Sequence, residues 1–188
     1  LSRSRSAEQV NWDAAIENVM KLEVLSPVSS QPLPDNILLK MVVISAHLAR
    51  ISLAAYSKGL YGIVMPARAF FTRACCCLSP HAAFQELSGI PQEDILDARV
   101  VADTLRPVYW LLQDRRLNAL VIAVRGTFSM SDFVSDLSAI QRWHEGHTLH
   151  QGILESAQGI YREIMDHVRG AGSQRIVITG HSLGGAIA

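Results

Sequence analysis

Five residues near the end of this 188-residue chain, Gly180-His181-Ser182-Leu183-Gly184, have the types and spacing to present a serine for attack on an acyl carbonyl. The pattern G-x-S-x-G has mechanical meaning only where a strand runs into it and a helix runs out of it. Ile176, Val177 and Ile178 precede it, a β-branched run that reads as a strand buried on both faces. Gly185, Ala186, Ile187 and Ala188 follow, small and apolar enough to open a helix. Reversing from strand to helix so quickly forces the central serine toward strained dihedrals, and the glycines on either side let strand and helix close up around it. The hydroxyl is then left at the tip of the turn, beside backbone N–H groups that can hold a developing oxyanion. Without the flanking strand and helix, the same letters would be a Gly-rich turn with an incidental serine.

A second group stands directly after the continuous apolar run 119–124, which reads as a central strand. It is Arg125-Gly126-Thr127-Phe128-Ser129-Met130-Ser131-Asp132-Phe133-Val134-Ser135-Asp136-Leu137. A loop at the end of a buried strand is where an α/β sheet places ligands, and where a serine elbow finds its second oxyanion donor. The plainer reading is a Gly-Thr turn that caps a helix.

The letters GHSLGGA, and R-G-T followed by a short amphipathic segment and D-L, resemble the class 3 (fungal-type) lipase family of α/β-hydrolases. The resemblance implies Ser182 as nucleophile, with the Thr127 and Leu183 backbone N–H groups as oxyanion donors. It implies Asp136 as an orienting carboxylate for the Thr127 hydroxyl, and Gly180, His181 and Gly184 as the rest of the elbow. A lid is implied at about 129–136, where Ser129, Met130, Phe133 and Val134 would cover the site; the plainer reading makes the apolar ones core residues of a short helix. Leu149-His150-Gln151-Gly152-Ile153-Leu154 resembles the family's H-x-G-F/M segment, with Ile153 in place of Phe or Met. His150 there reads as a structural hydrogen-bonding residue. The resemblance covers about 95–188. Ala54-Ala55-Tyr56, the triplet Cys75-Cys76-Cys77 and the form of the R-G-T loop lean toward the diacylglycerol lipases.

What the resemblance implies is a serine ester hydrolase that cleaves diacylglycerol or triacylglycerol through an acyl-enzyme on Ser182, with no cofactor and no metal. A phospholipase, esterase or acyltransferase on the same fold stays open, as does a non-enzymatic lipid-surface module. In the α/β-hydrolase order the acid and the histidine follow the serine. Here only Leu183 to Ala188 follow it, and the seven histidines (47, 81, 144, 147, 150, 167 and 181) precede or adjoin it. His181 is a poor base, because neighbouring side chains at a sharp turn point apart. The chain therefore reads as a piece of a longer protein, opening on Leu1 rather than Met, and as inactive on its own.

The elements that position these groups follow from periodicity. Strands are expected at 95–101, 108–113 and 119–125, with a turn at Asp114-Arg115-Arg116. A helix is expected from Ile153 to Val168, its face marked by Ile153, Leu154, Ala157, Ile160, Tyr161, Ile164, Met165 and Val168, and ended by Gly170 and Gly172. The fold class is α/β, a partial α/β-hydrolase with a mostly parallel sheet and flanking helices. Three segments are expected: a helix and Pro/Ser-rich linker (1–34), an apolar, basic helical segment (35–94) and the N-terminal half of the hydrolase domain (95–188).

Formal charge is zero, which excludes a whole-chain case for nucleic-acid binding. The neutrality hides an asymmetry: 36–85 holds five basic residues and no acidic one. Within it a long helix begins at Asp35 and runs to about Tyr56. Two readings stay open, a core helix followed by an apolar loop, or a membrane-surface segment with S-acylation at Cys75 to Cys77. The second places a glycerolipid-bearing membrane or lipid-droplet surface against 61–78. No charge-free run reaches the roughly 18 residues of a span, and no signal peptide opens the chain. The adjacent cysteines form no disulfide framework, so an intracellular, membrane-associated setting is expected.

Overall fold

The computed structural model describes residues 35–64, 78–126, 141–144 and 147–188. Two compact units divide between His47 and Leu48. The first contributes the N-terminal part of helix α1 (Asp35–Ala54), whose later turns belong to the second unit.

After α1 come α2 (Lys58–Val64), α3 (Pro80–Ser88) and a single 3₁₀ turn at Gln92–Asp94. Strands β1 (Ile95–Arg99), β2 (Tyr109–Asp114) and β3 (Ala119–Val124) follow. A hairpin of β4 (Gln141–His144) and β5 (His147–His150) leads into α4 (Gln151–Gly170), β6 (Arg175–Gly180) and α5 (Leu183–Ile187). The four-stranded sheet has the order β1-β2-β3-β6. Among the described residues it is mixed, where a mostly parallel sheet was expected. β1–β2 and β2–β3 are antiparallel because short connections join them, and only β3–β6, joined through α4, is parallel.

The β2–β3 turn forms at the expected place for a local reason. The buried Asp114 carboxylate accepts from the Arg116 N–H at 2.9 Å and the Leu117 N–H at 3.0 Å, a side chain standing in for a backbone turn. β3 is buried at every position, as its uninterrupted apolar sequence requires. On one face Tyr109, Leu111, Leu120, Ile122 and Val124 pack with Ile160 and Ile164 of α4 and Ile187 of α5. On the other, Trp110 of β2 stacks on Phe84 of α3 with centroids 4.1 Å apart, and His81 meets it edge-on. The buried stripe of α4 keeps the expected period, but Tyr161 faces solvent. Gly172, at φ +59, turns the chain out of α4.

One expectation is corrected. β6 is not buried on both faces: Ile176 is 45% exposed and Ile178 51%. Its apolar sequence suits a central strand, but among the described residues it pairs only with β3 and so sits at the edge of the sheet. α1 has an uneven pattern of burial. Lys40 and His47 are buried, while Leu38, Leu39, Met41 and Val42 are each more than half exposed. By length and composition alone α1 is apolar enough to cross a membrane, with mean hydropathy 1.7 over Asn36–Ala54. Counting only charge-free runs missed this, because Lys40 and Arg50 interrupt the run without making the helix polar.

Candidate active site

The site forms where β3 and β6 end side by side. Parallel pairing puts Val124 opposite Gly180, so the residues that leave the two strands, Arg125-Gly126 and His181-Ser182, emerge next to each other. Ser182 stands between β6 and α5 with φ +56 and ψ −128. A non-glycine residue there carries strain of about 1–3 kcal/mol, which persists only where the surroundings over-determine it. This is the conformation that the strand–turn–helix reading demands of the central serine.

Glycine is needed at three surrounding points because backbone meets backbone. A Cβ on Gly180 would strike the carbonyl of Gly184, and one on Gly184 would strike the Val124 carbonyl and the Arg125–Gly126 peptide. A Cβ on Gly126 would meet the His181 carbonyl oxygen and, at 3.2 Å, the Leu183 nitrogen. The start of the R-G-T loop and the Leu183 N–H are therefore in contact range of one another. Leu183 opens α5, where the first N–H groups have no acceptor within the helix. Thr127 and Asp136 lie outside the described residues, as do the lid positions Ser129, Met130, Phe133 and Val134.

Beside this junction is a cavity of about 540 Å³. Its walls are the 102–108 loop, the first turns of α4 at Gly152, Ile153 and Ser156, the α5 residues Leu183 and Ile187, and Arg125-Gly126. Burial lowers the pKa of the Arg125 guanidinium, and the neighbouring Tyr56 partly offsets this. His150 lines the cavity and caps α4, its Nδ1 accepting from the Ile153 N–H at 3.4 Å, which agrees with a structural role. The Glu163 carboxylate of α4 is ion-paired with Arg99 and, at 3.0 Å, with Arg106, which ties the 102–108 wall to α4. Among the described residues no group of His, Cys, Asp and Glu is arranged to hold a metal ion.

One contact at the site has no local signal in the sequence. The Tyr56 hydroxyl, from the turn after α1, lies 3.1 Å from His181 Nδ1. The two residues are 125 positions apart, and only the folded chain brings them together.

Residues 121–188 match the family model for Lipase (class 3). Diacylglycerol lipase-beta of Mus musculus is 27% identical over 124 residues, which cover 57% of this chain and 18% of that protein. The Rhizomucor miehei lipase in its propeptide complex superposes with a TM-score of 0.51 at 18% identity, over 79% of this chain and 44% of that one. Rhizomucor miehei triacylglyceride lipase gives the same TM-score and identity over 52% of its own length. At such identity the structural likeness carries the fold alone, and that fold is the α/β-hydrolase. The chain thus spans about a fifth of its mouse relative and about half of each fungal chain.

Proposed function

We propose, from the class 3 lipase match over 121–188, that the full-length protein is a serine lipase acting on acyl esters of glycerolipids, with diacylglycerol or triacylglycerol as substrate. The observation that carries this reading is the strained Ser182 at the β6–α5 turn, with Gly126 and the Leu183 N–H packed beside it. In this mechanism Ser182 Oγ attacks the ester carbonyl as a base removes its proton. The tetrahedral oxyanion is held by the Leu183 and Thr127 N–H groups, with Asp136 orienting Thr127, and its collapse expels the glyceride alcohol. Water then attacks the acyl-serine to release the fatty acid. A histidine and its carboxylate complete the machinery in the full-length enzyme. No cofactor is needed for these steps. The test is a lipid-panel hydrolysis assay on the full-length protein. Ser182-dependent release of fatty acid from glycerolipids is expected. Turnover of phospholipid alone, or transfer of the acyl group without hydrolysis, would move the reading to another acyl-transfer chemistry on this fold.

The cavity beside Leu183 suits an acyl chain, because Leu105, Ile153, Leu183 and Ile187 supply apolar wall within reach of the proposed oxyanion position. Filling it with Ile153→Trp is expected to lower the ratio of palmitoyl-ester to butyryl-ester turnover about tenfold, within the range that pocket shape alone supplies. A ratio equal to wild type would place the acyl chain elsewhere.

Membrane contact is proposed on two features. One is the exposed apolar face of α1 at Leu38, Leu39, Met41 and Val42, and the other is the excess of basic residues over 36–85. The contact extends into 61–78, where Cys75, Cys76 and Cys77 are candidates for S-acylation; 65–77 lies outside the described residues. Flotation with liposomes should show binding that rises with anionic lipid and weakens in salt. Leu39→Asp with Val42→Asp should reduce it severalfold. Equal flotation on neutral and anionic vesicles would remove the electrostatic part.

A further inference from the structure

Tyr56 sits in the turn between α1 and α2 and is buried, though nothing in the ester chemistry itself requires it. Its ring stands edge-on to the His181 imidazole with centroids 5.8 Å apart, and its oxygen is 3.1 Å from Nδ1. The Gly126 backbone N–H bonds the same oxygen. Burial raises the phenol pKa, against smaller opposing effects of Arg125 and of the Gly126 bond, so Tyr56 is a neutral phenol near neutral pH. A phenol that accepts from Gly126 still has one proton to give, and His181 Nδ1 is within reach to take it. Gly126, the Tyr56 hydroxyl and His181 Nδ1 are thus joined in one chain, and the His181 tautomer sets which partner donates in its last link.

This chain joins the two strand exits that form the site. Gly126 begins the R-G-T loop, and His181 is the residue before Ser182. The His181 carbonyl in turn accepts from the Gly184 N–H at 3.0 Å, so fixing His181 also fixes the first turn of α5. The elbow otherwise rests on close backbone packing of Gly180 and Gly184 against α5 and the end of β3, and on Ile187 in the core. A strained Ser182 backbone needs such outside support.

We propose that Tyr56 is a positioning residue that clamps the end of β3 to the serine elbow through Gly126 and His181. The clamp sets the spacing between the proposed oxyanion donors and Ser182 Oγ, and in that respect it rests on the lipase reading above. It acts through the backbone and touches no substrate.

Tyr56→Phe in the full-length enzyme deletes one hydroxyl and keeps the ring. The kcat on a soluble short-chain ester and the rate of Ser182 labelling by a fluorophosphonate should both fall about tenfold, less than the loss of an oxyanion donor outright. KM and the thermal midpoint should hold. His181→Gln should cost a similar factor, and the double variant should be no slower than the slower single one, because both break the same bond. A lowered thermal midpoint with kcat intact would make Tyr56 merely structural and overturn the proposal. A readout independent of activity is the ring ¹⁵N spectrum of His181. Donation from Tyr56 to Nδ1 requires the tautomer protonated at Nε2, and Tyr56→Phe should release a mixture of tautomers. If the wild type hydrolyses no ester but the tautomer responds to Tyr56→Phe, the lipase reading fails and the clamp stands. An unresponsive tautomer sinks the clamp whatever the activity.

Discussion

Ser182→Ala in the full-length enzyme should lower glycerolipid hydrolysis by about 10⁴-fold or more while leaving lipid binding and fold intact. The serine supplies the bond-forming oxygen, so its loss removes the acyl-enzyme route and leaves only what oxyanion stabilisation and binding can do for water. Fold should survive because the substitution removes one oxygen from an exposed position. Alanine also meets the same backbone strain at φ +56 that serine already bears. The measurement is fatty-acid release beside fluorophosphonate labelling, with circular dichroism as the control for fold. Activity retained within tenfold would show that another residue is the nucleophile.

The second large effect is expected from a single methyl group. Gly184→Ala would drive its Cβ into the Val124 carbonyl, with the Arg125 carbonyl carbon at 2.8 Å and the Gly126 nitrogen at 2.9 Å. All three atoms belong to backbone at the end of the central strand, so no side chain can swing away. Overpacking of a core costs about 1–3 kcal/mol when side chains can adjust, and here the cost should reach or exceed the upper end. The elbow would move off β3 and carry the Leu183 N–H away from the loop, so activity should fall by at least about 10² even in molecules that remain folded. Gly159→Ala, in the middle of α4, is the control. Its nearest neighbour to a new Cβ is the Leu105 carbonyl oxygen at 3.9 Å, and relief of glycine's poor helix propensity should stabilise the fold by up to about 1 kcal/mol. Thermal melts of the two variants should therefore move in opposite directions. A neutral Gly184→Ala would mean that the elbow does not pack against β3 as described.

Legibility in the sequence followed the range of the interactions. The Ser182 turn could be read directly, because a strand, a tight reversal and a helix start are dictated by neighbours a few residues apart. The Asp114 turn, the buried β3 run and the α4 stripe ending near Gly170 were legible for the same reason. Each is a local periodicity or a local hydrogen bond. The edge position of β6 was not legible, since a β-branched run looks the same whether one strand or two pair with it. The burial of Lys40 and His47 in α1 was hidden as well, because which residues of an apolar helix are covered depends on what packs there. The β4–β5 hairpin escaped because its residues carry no clear alternation and the pair between the strands is Glu145-Gly146 rather than the stronger Asn-Gly or Asp-Gly signal.

Sequence alone thus determined the nucleophile candidate, the glycines that let the elbow close and the α/β character of the chain, all through local sterics and hydrophobic period. Tertiary structure decided which strand ends meet, that a cavity opens beside Leu183, and that Tyr56 reaches across 125 residues to hold His181. Those facts depend on strand order and helix docking. Both are set by the total burial of many distant residues, and no short window of sequence contains that sum.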